Sequence, residues 1–210
     1  LGGGYGLLGR RFGLCCDHIL EAEMVDAEGR VLRASDEENP DLFWALRGAG
    51  GAGFGVVTRL RYRLDVVPKT VMGGVLMWPL EHAAAALRAY RDLYVGQDDD
   101  RLSLNLMLTT DPYPDGEKVV MVYGMYVGDP AEAVSHLAPI RSAAKPLMDG
   151  FGPTSYYELQ TMLAEEIPYG MQSKWHGGYF TDGGFDDDAF ERIIDGFQRT
   201  ASVYTMARFD

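Results

Sequence analysis

The sequence predicts an α+β fold in which an antiparallel sheet is covered by helices. Strand-like and helix-like segments alternate from residue 71 to residue 209, and glycine-rich stretches at residues 2–13 and 48–55 interrupt the first third of the chain. Charge is unevenly distributed. Residues 1–67 hold 8 of the 19 basic and 10 of the 31 acidic side chains, a net charge of −2, which leaves −10 for residues 68–210. We therefore predict two domains, 1–67 and 68–210, that meet near Pro68.

The first domain is expected to open with a tight loop, because six glycines surround Arg10 and Arg11. A hairpin turn at Ala27-Glu28-Gly29 separates two strand-like segments. Asn39 followed by Pro40 is typical of an N-cap and the first position of a helix. The predicted elements are, in order, a loop at 1–13, strands at 19–26 and 30–34, a helix that starts at 40 and ends at Gly48, and a strand at 56–64.

The second domain is predicted from alternating apolar periodicities. The run Asp98-Asp99-Asp100 is expected to be a solvated loop. The predicted strands are 71–78, 102–108, 118–126, 174–181 and 203–209, and the predicted helices are 81–95, 130–142, 155–165 and 186–200.

Composition excludes several classes of function. A net charge of −12 argues against a nucleic-acid partner, since phosphate binding needs a basic face. No apolar run approaches the roughly 20 residues of a membrane helix, so we expect a soluble protein, cytoplasmic or secreted. The four histidines show no metal-ligand spacing, and no GxSxG elbow occurs. Cys15 and Cys16 are adjacent, which is unsuitable for a normal disulfide, and we expect two buried free thiols.

Two segments, 4–9 and 48–53, match the GxGxxG pattern of dinucleotide-binding domains. That pattern binds a pyrophosphate only when it follows a strand and opens a helix. The second match follows a predicted helix and leads into a strand, and the first reaches Gly13 before a helix can form. The sequence therefore does not support a nicotinamide-type site, although glycine backbone can still approach a phosphate or a flat ring closely.

The whole run from Leu1 to Pro68 resembles the later half of the FAD-binding domain in berberine-bridge-enzyme-like proteins, members of the vanillyl-alcohol-oxidase (PCMH-type) superfamily. The family pattern GGGxG is matched by 2–6, and YGL-x-x-D-x-V by Phe12-Gly13-Leu14 and Asp17-His18-Ile19. The hairpin D-x-x-G-R is matched by 26–30. The family run NPDLFWALRGGGxNFGVVT is matched by 39–48 and 53–58, with Gly53 in place of the usual Asn.

This resemblance implies the fold, the cofactor and the reaction class. Residues 1–67 would be the C-terminal part of an FAD-binding domain, and residues 68–210 an incomplete substrate-binding domain. The protein would be an FAD-linked oxidoreductase that oxidises an alcohol or amine-adjacent carbon of a small molecule. The residues that attach FAD covalently would lie before Leu1 and the catalytic tyrosine beyond Asp210, so no catalytic residue is assigned. The chain would then be an internal fragment, and its isolated form is expected to bind FAD weakly or not at all.

The resemblance also names candidate site residues. The flavin or its pyrophosphate would contact the glycine loop, and its charge could be balanced by Arg10 and Arg11. The cofactor-binding candidates are Gly3, Gly4, Tyr5, Gly6, Asp17, Ile19, Phe54, Gly55 and Val56. Trp175 and Tyr179, on one face of the predicted strand 174–181, are candidates for the substrate pocket, and sheet core is the competing interpretation. The alternative to an enzyme is a non-catalytic binding module that keeps the fold without flavin, and the oligomeric state is left open.

Overall fold

A computed structural model describes residues 2–49, 53–110, 116–162, 170, 174, 176–181 and 183–210. The chain divides into two compact units, Leu1–Val67 and Pro68–Asp210. Each unit is described by itself.

The first unit is a three-stranded antiparallel sheet, sheet A, with short helices. Its strands have the order β2-β1-β3, so the first strand lies in the centre. The elements are α1 (Gly9–Phe12), β1 (Ile19–Val25), β2 (Val31–Ala34), α2 (Pro40–Leu46) and β3 (Val56–Tyr62), with a 3₁₀ turn at Gly2–Gly4 and another at Cys15–His18. One apolar cluster holds the unit together, formed by Cys16, Ile19, Ala34 and Phe43 with Leu42, Leu46, Leu60 and Tyr62 packed against it.

Two local expectations in this unit are wrong. Residues 9–12 form one helical turn inside the predicted loop, with Phe12 N–H bonded to the Leu8 carbonyl. Asn39 precedes α2 but does not cap it with its side chain, since its φ is 48° and its Nδ2 donates instead to the Arg33 carbonyl at 2.6 Å. The predicted hairpin is confirmed, with Gly29 at φ 78° in the turn.

The second unit is a larger antiparallel sheet, sheet B, with the strand order β7-β4-β6-β5-β9; β8 also pairs with β4. This confirms the predicted α+β class with an antiparallel sheet and helices. The strands are β4 (Val71–Pro79), β5 (Leu102–Thr110), β6 (Lys118–Tyr126), β7 (Met148–Asp149), β8 (Gly152–Thr154) and β9 (Ala207–Phe209). The helices are α3 (Ala83–Tyr94), α4 (Pro130–Arg141), α5 (Tyr156–Met162) and α6 (Asp187–Gln198), after a 3₁₀ turn at Leu80–His82.

Helices cover one face of sheet B, here called the first face. The even-numbered residues of the three long strands point to it, because side chains alternate along a strand. Leu76, Leu104, Leu106, Val122 and Trp78 lie there with less than 1% of their surface exposed, packed with Leu87 of α3, Leu137 of α4 and Phe190 of α6. Lys118 ties α6 to the sheet, since its Nζ donates to the carbonyls of Phe197, Gln198 and Thr200 at 2.7–3.0 Å.

Two expectations for this unit are wrong. Within the described residues of 174–181 no strand forms, and the last strand is confined to Ala207–Phe209. The loop expected at 98–100 is observed, with Asp98 and Asp100 exposed, and Arg101 donates to both carboxylate oxygens of Asp99 at 2.9 Å. The short edge strands β7 and β8 were not expected. Glycine and proline are uncommon inside strands, so Gly150, Gly152 and Pro153 make strands of two or three residues hard to recognise in the sequence.

Candidate functional site

The predicted cofactor loop of the first unit has an exposed, side-chain-poor backbone. Gly3 and Gly4 have φ of 82° and 70°, a region that favours glycine. A Cβ on Gly3 would meet no atom within 4 Å, so open space lies beside its backbone. Tyr5 is 60% exposed, and the Gly6 carbonyl accepts the N–H of Gly9 at 2.8 Å. This is backbone that a flat ring or an anion can approach closely.

The loop is packed tightly against the next turn of the chain. A Cβ on Gly4 would lie 2.0 Å from the Cβ of Cys15, so only glycine fits there. Cys15 is exposed, contrary to expectation, while Cys16 is buried as expected. The Cys15 thiol interacts with the Tyr62 hydroxyl, and the pKa of Tyr62 is raised chiefly by burial and then by Cys15. The glycine loop and the end of β3 therefore meet through Cys15.

His18 contacts the same region, and no sequence motif singled it out as a site residue. It is 8% exposed, and its Nε2 contacts the Phe12 carbonyl while its Nδ1 lies 3.0 Å from Asp65 Oδ2. Its own carbonyl accepts the N–H of Arg63 at 2.8 Å. Both ring nitrogens thus face acceptor oxygens. His18 therefore links the end of α1, at Phe12, to the segment that follows β3, at Asp65.

The remaining cofactor candidates fall at two ends of sheet A. Asp17 is exposed and accepts the Leu14 N–H at 3.3 Å, and Ile19, which pairs with Tyr62, is 4% exposed in the apolar cluster. Phe54, Gly55 and Val56 lie at the other end, where Val56 pairs with Val25. Val56 and Tyr62 are six residue steps apart along β3, which corresponds to ~20 Å of strand. The structure groups the glycine loop with Asp17 and Ile19, and it places 54–56 apart from them.

The substrate-pocket candidates are not brought together. Trp175 lies outside the described residues. Tyr179 is in irregular chain and fully exposed, while Phe180 stacks with Phe185 and Phe209. The aromatic packing that the sequence suggested for this segment thus occurs at Phe180 and not at Tyr179.

The other face of sheet B, here called the second face, carries polar groups that the sequence analysis missed. Arg208 Nη2 donates to Asn105 Oδ1 at 2.6 Å, and Arg208 Nε donates to Asp210 at 2.6 Å. Tyr123 donates to the Leu159 carbonyl, and its burial, with Tyr156 nearby, raises its pKa to about 12 although Arg208 opposes this rise. Tyr123 is therefore a neutral hydrogen-bond donor near pH 7. The alternation of Leu with Ser103, Asn105 and Met107 along β5 was the signal that could have found this face.

Among the described residues, no group of three or more His, Cys, Asp or Glu side chains is arranged to hold a metal ion. The described helices also include none that is long and apolar enough to cross a membrane.

Comparison with known proteins places this geometry in a family. The chain is 32% identical over 146 residues to an uncharacterized FAD-linked oxidoreductase of Bacillus subtilis, covering 70% of this chain and 32% of that protein. It is 31% identical over 191 residues to (R)-6-hydroxynicotine oxidase of Paenarthrobacter nicotinovorans, covering 83% and 38%. The structure of berberine-bridge-enzyme-like 1 from Physcomitrella patens superposes with a TM-score of 0.75 over 95% of this chain and 45% of its own, at 22% identity. The chain belongs to the berberine-bridge-enzyme-like FAD-linked oxidoreductases.

The chain spans about a third of the length of the two curated relatives named above. No family model matches it. The resemblance read from the motifs of residues 1–68 is confirmed by the comparisons, and FAD is the cofactor of the family. The exposed backbone at Gly3 and the positive φ of Gly3 and Gly4 fit close approach by such a cofactor. The individual cofactor-binding residues stay predictions.

Proposed function

We propose that the protein is an FAD-dependent oxidoreductase that oxidises an alcohol or an amine-adjacent carbon of a small molecule. The observation that carries this proposal is the open glycine backbone at Gly3, next to Gly4 packed on Cys15, in a chain of an FAD-linked family. Residues 1–67 would hold the cofactor, and residues 68–210 would hold the substrate. The (R)-6-hydroxynicotine oxidase among its relatives supports a small organic substrate.

In this function the protein binds and orients while the bound flavin supplies the redox chemistry by accepting a hydride. The backbone of Gly3, Gly4, Tyr5 and Gly6 would contact the cofactor through groups that no side chain shields. His18 would keep that backbone in place through the Phe12 carbonyl. In the second unit, the N–H groups of Arg208 on the second face would be the hydrogen-bond donors nearest to a substrate, since the Tyr123 hydroxyl already donates to the Leu159 carbonyl.

The test is an absorbance spectrum of the purified protein between about 350 and 500 nm, where oxidised flavin absorbs, recorded before and after denaturation. Because the chain holds only part of the expected cofactor site, we expect the wild type to take up FAD weakly on reconstitution at high FAD concentration, and Gly3→Val to lose even this uptake. Gly29→Val is the matched control: Gly29 has φ 78° and, like Gly3, no atom within 4 Å of a Cβ, but it lies in the β1–β2 hairpin.

Two outcomes would overturn the proposal. If Gly3→Val and Gly29→Val lowered flavin content equally, the loss would come from backbone strain and not from a cofactor contact. A folded wild-type protein that takes up no FAD would favour the alternative, a binding module that keeps the fold without the chemistry.

A further inference from the structure

The turn Cys15–His18 lies between the glycine loop and the end of β3, and it contacts both. On one side Gly4 packs on the Cβ of Cys15, and on the other side the Cys15 thiol interacts with the Tyr62 hydroxyl. Ile19, directly after the turn, pairs with Tyr62 in sheet A. The position of the glycine loop therefore depends, through this turn, on residues near the end of the first unit.

His18 is a second link between the turn and the end of the unit. Its side chain is buried, with Nε2 facing the Phe12 carbonyl at the end of α1 and Nδ1 lying 3.0 Å from Oδ2 of Asp65. The His18 carbonyl also accepts the N–H of Arg63 at 2.8 Å. One residue thus holds the segment 63–65 against the turn with both its side chain and its backbone.

The two ring contacts of His18 depend on each other, because the imidazole is a rigid plane. A carbonyl oxygen can only accept, so Nε2 is the donor in the contact with Phe12. A ring held at one nitrogen can still rotate about its side-chain bonds, whereas a ring held at both nitrogens has one orientation. The hydrogen-bond partner of one ring nitrogen commonly sets the orientation in which the other nitrogen acts. Asp65 is in the place of that partner.

We propose that Asp65 is a positioning residue for the glycine loop and that it acts through His18. Asp65 orients the ring, the ring holds the Phe12 carbonyl, and α1 in turn holds the loop, since the Gly9 N–H is bonded to the Gly6 carbonyl at 2.8 Å. The assignment of this loop to the cofactor rests on the proposed oxidoreductase function, whereas its support by Asp65 does not. The Asp65 side chain is 35% exposed and lies outside the apolar cluster, so its replacement removes the contact without emptying the core.

Amide hydrogen exchange tests this role without any cofactor. Three amides report on the loop and α1, because each donates to a carbonyl there: those of Gly9, Phe12 and Gly13. In Asp65→Leu we expect these amides to exchange about tenfold faster, whereas the amides that pair β1 with β2 keep their wild-type rates. Asp65→Asn should stay within about threefold of wild type, because its side-chain amide can donate to Nδ1 or accept from it.

Asp36→Leu is the matched control, since Asp36 is a more exposed carboxylate of the same unit that faces Arg47 at 4.0 Å, and it should leave the three amides unchanged. Three results would overturn the inference. Wild-type exchange at the three amides in Asp65→Leu would mean that the contact supports nothing. Equal acceleration in α1 and β1 would mean that Asp65 stabilises the whole unit and does not position the loop. An equal loss in Asp65→Asn and Asp65→Leu would mean that the contact with Nδ1 is not what matters.

FAD uptake at high FAD concentration, measured in the same variants, connects this support to the cofactor. We expect uptake to fall in Asp65→Leu and to be kept in Asp65→Asn. Equal uptake by wild type and Asp65→Leu would overturn the positioning role. If the wild type takes up no FAD, the oxidoreductase proposal fails, while the exchange rates still decide whether Asp65 supports the loop.

Discussion

Replacement of Gly4 by alanine tests the packing of the glycine loop. Two penalties act together at this position. An L-residue at φ 70° costs about 1–2 kcal/mol. The new Cβ would also lie 2.0 Å from the Cys15 Cβ, so the backbone must shift, and such overpacking typically costs about 1–3 kcal/mol more. We expect Gly4→Ala to destabilise the first unit by about 2–5 kcal/mol.

Two neighbouring glycines separate these penalties. Gly3→Ala meets the φ penalty alone, at φ 82° with no atom within 4 Å, and should cost about 1–2 kcal/mol. Gly9→Ala lies in α1 with open space around it and should stabilise by up to ~1 kcal/mol. The series therefore predicts an order of stability of Gly9→Ala, wild type, Gly3→Ala and Gly4→Ala.

The assay is alkylation of Cys16 under native conditions, followed by mass spectrometry. Cys15 is exposed and reacts at once, whereas Cys16 is buried and reacts when the unit opens. A loss of 2–5 kcal/mol raises the open population roughly 30-fold to several-thousand-fold. Adding Cys15→Gly removes the clashing atom and should restore about 1–3 kcal/mol in a double-mutant cycle; Cys15→Ala keeps that atom and should restore nothing. Equal effects of Gly3→Ala and Gly4→Ala would refute the reasoning.

Four further predictions concern groups tied by hydrogen bonds. Lys118→Met removes three charge-assisted hydrogen bonds at the end of α6 and should lower the free energy of unfolding in urea by about 1.5–3 kcal/mol. The control Lys145→Met, at an exposed position, should change it by less than ~0.5 kcal/mol. Equal effects of the two substitutions would contradict the capping role. Burial raises the pKa of Tyr126 to about 12, so between pH 10 and 12 the folded state keeps the phenol proton while the unfolded state loses it. Stability therefore falls as the pH rises through that range. Tyr126→Phe should make alkaline unfolding curves less dependent on pH. The Arg101 guanidinium lowers the pKa of Asp99, so its contribution is present above about pH 4 and is lost on acidification, and an unchanged acid slope in Asp99→Asn would exclude it. His18→Leu should lower the melting temperature of the first unit, measured by the same Cys16 labelling, since it leaves the Phe12 carbonyl and Asp65 without their partner.

Much of the fold could be predicted because periodicity and turn residues agreed locally. The 2-residue alternation of β1 and the glycine of its turn indicated the hairpin, and the 3.6-residue periodicity indicated α3 and α6. The segment 174–181 was misread because aromatic residues favour strands in general, whereas here Phe180 packs against Phe185 without strand pairing. Intrinsic propensity is a weak guide when tertiary packing supplies the contacts.

The candidate site was predictable only in part. The glycine loop was found because its residues are contiguous and match a family pattern. The pair Asn105 and Arg208 was not found, since 103 residues separate them and only the register of β5 with β9 brings them together. His18 was passed over for a similar reason: its partner Asp65 lies at the far end of the first unit's chain.

Four methionines, Met148, Met77, Met121 and Met107, are paired in register across the second face of sheet B, and this methionine row affects how the protein resists oxidation. Oxidation of a thioether to the sulfoxide adds a polar oxygen to a surface built for apolar contact. Met77, Met107 and Met121 are 3–6% exposed and therefore protected, whereas Met148 at the end of the row is only half-buried. Peroxide should oxidise Met148 first. Sulfoxide at Met77, Met107 and Met121 would show that this face of the sheet has become exposed to solvent.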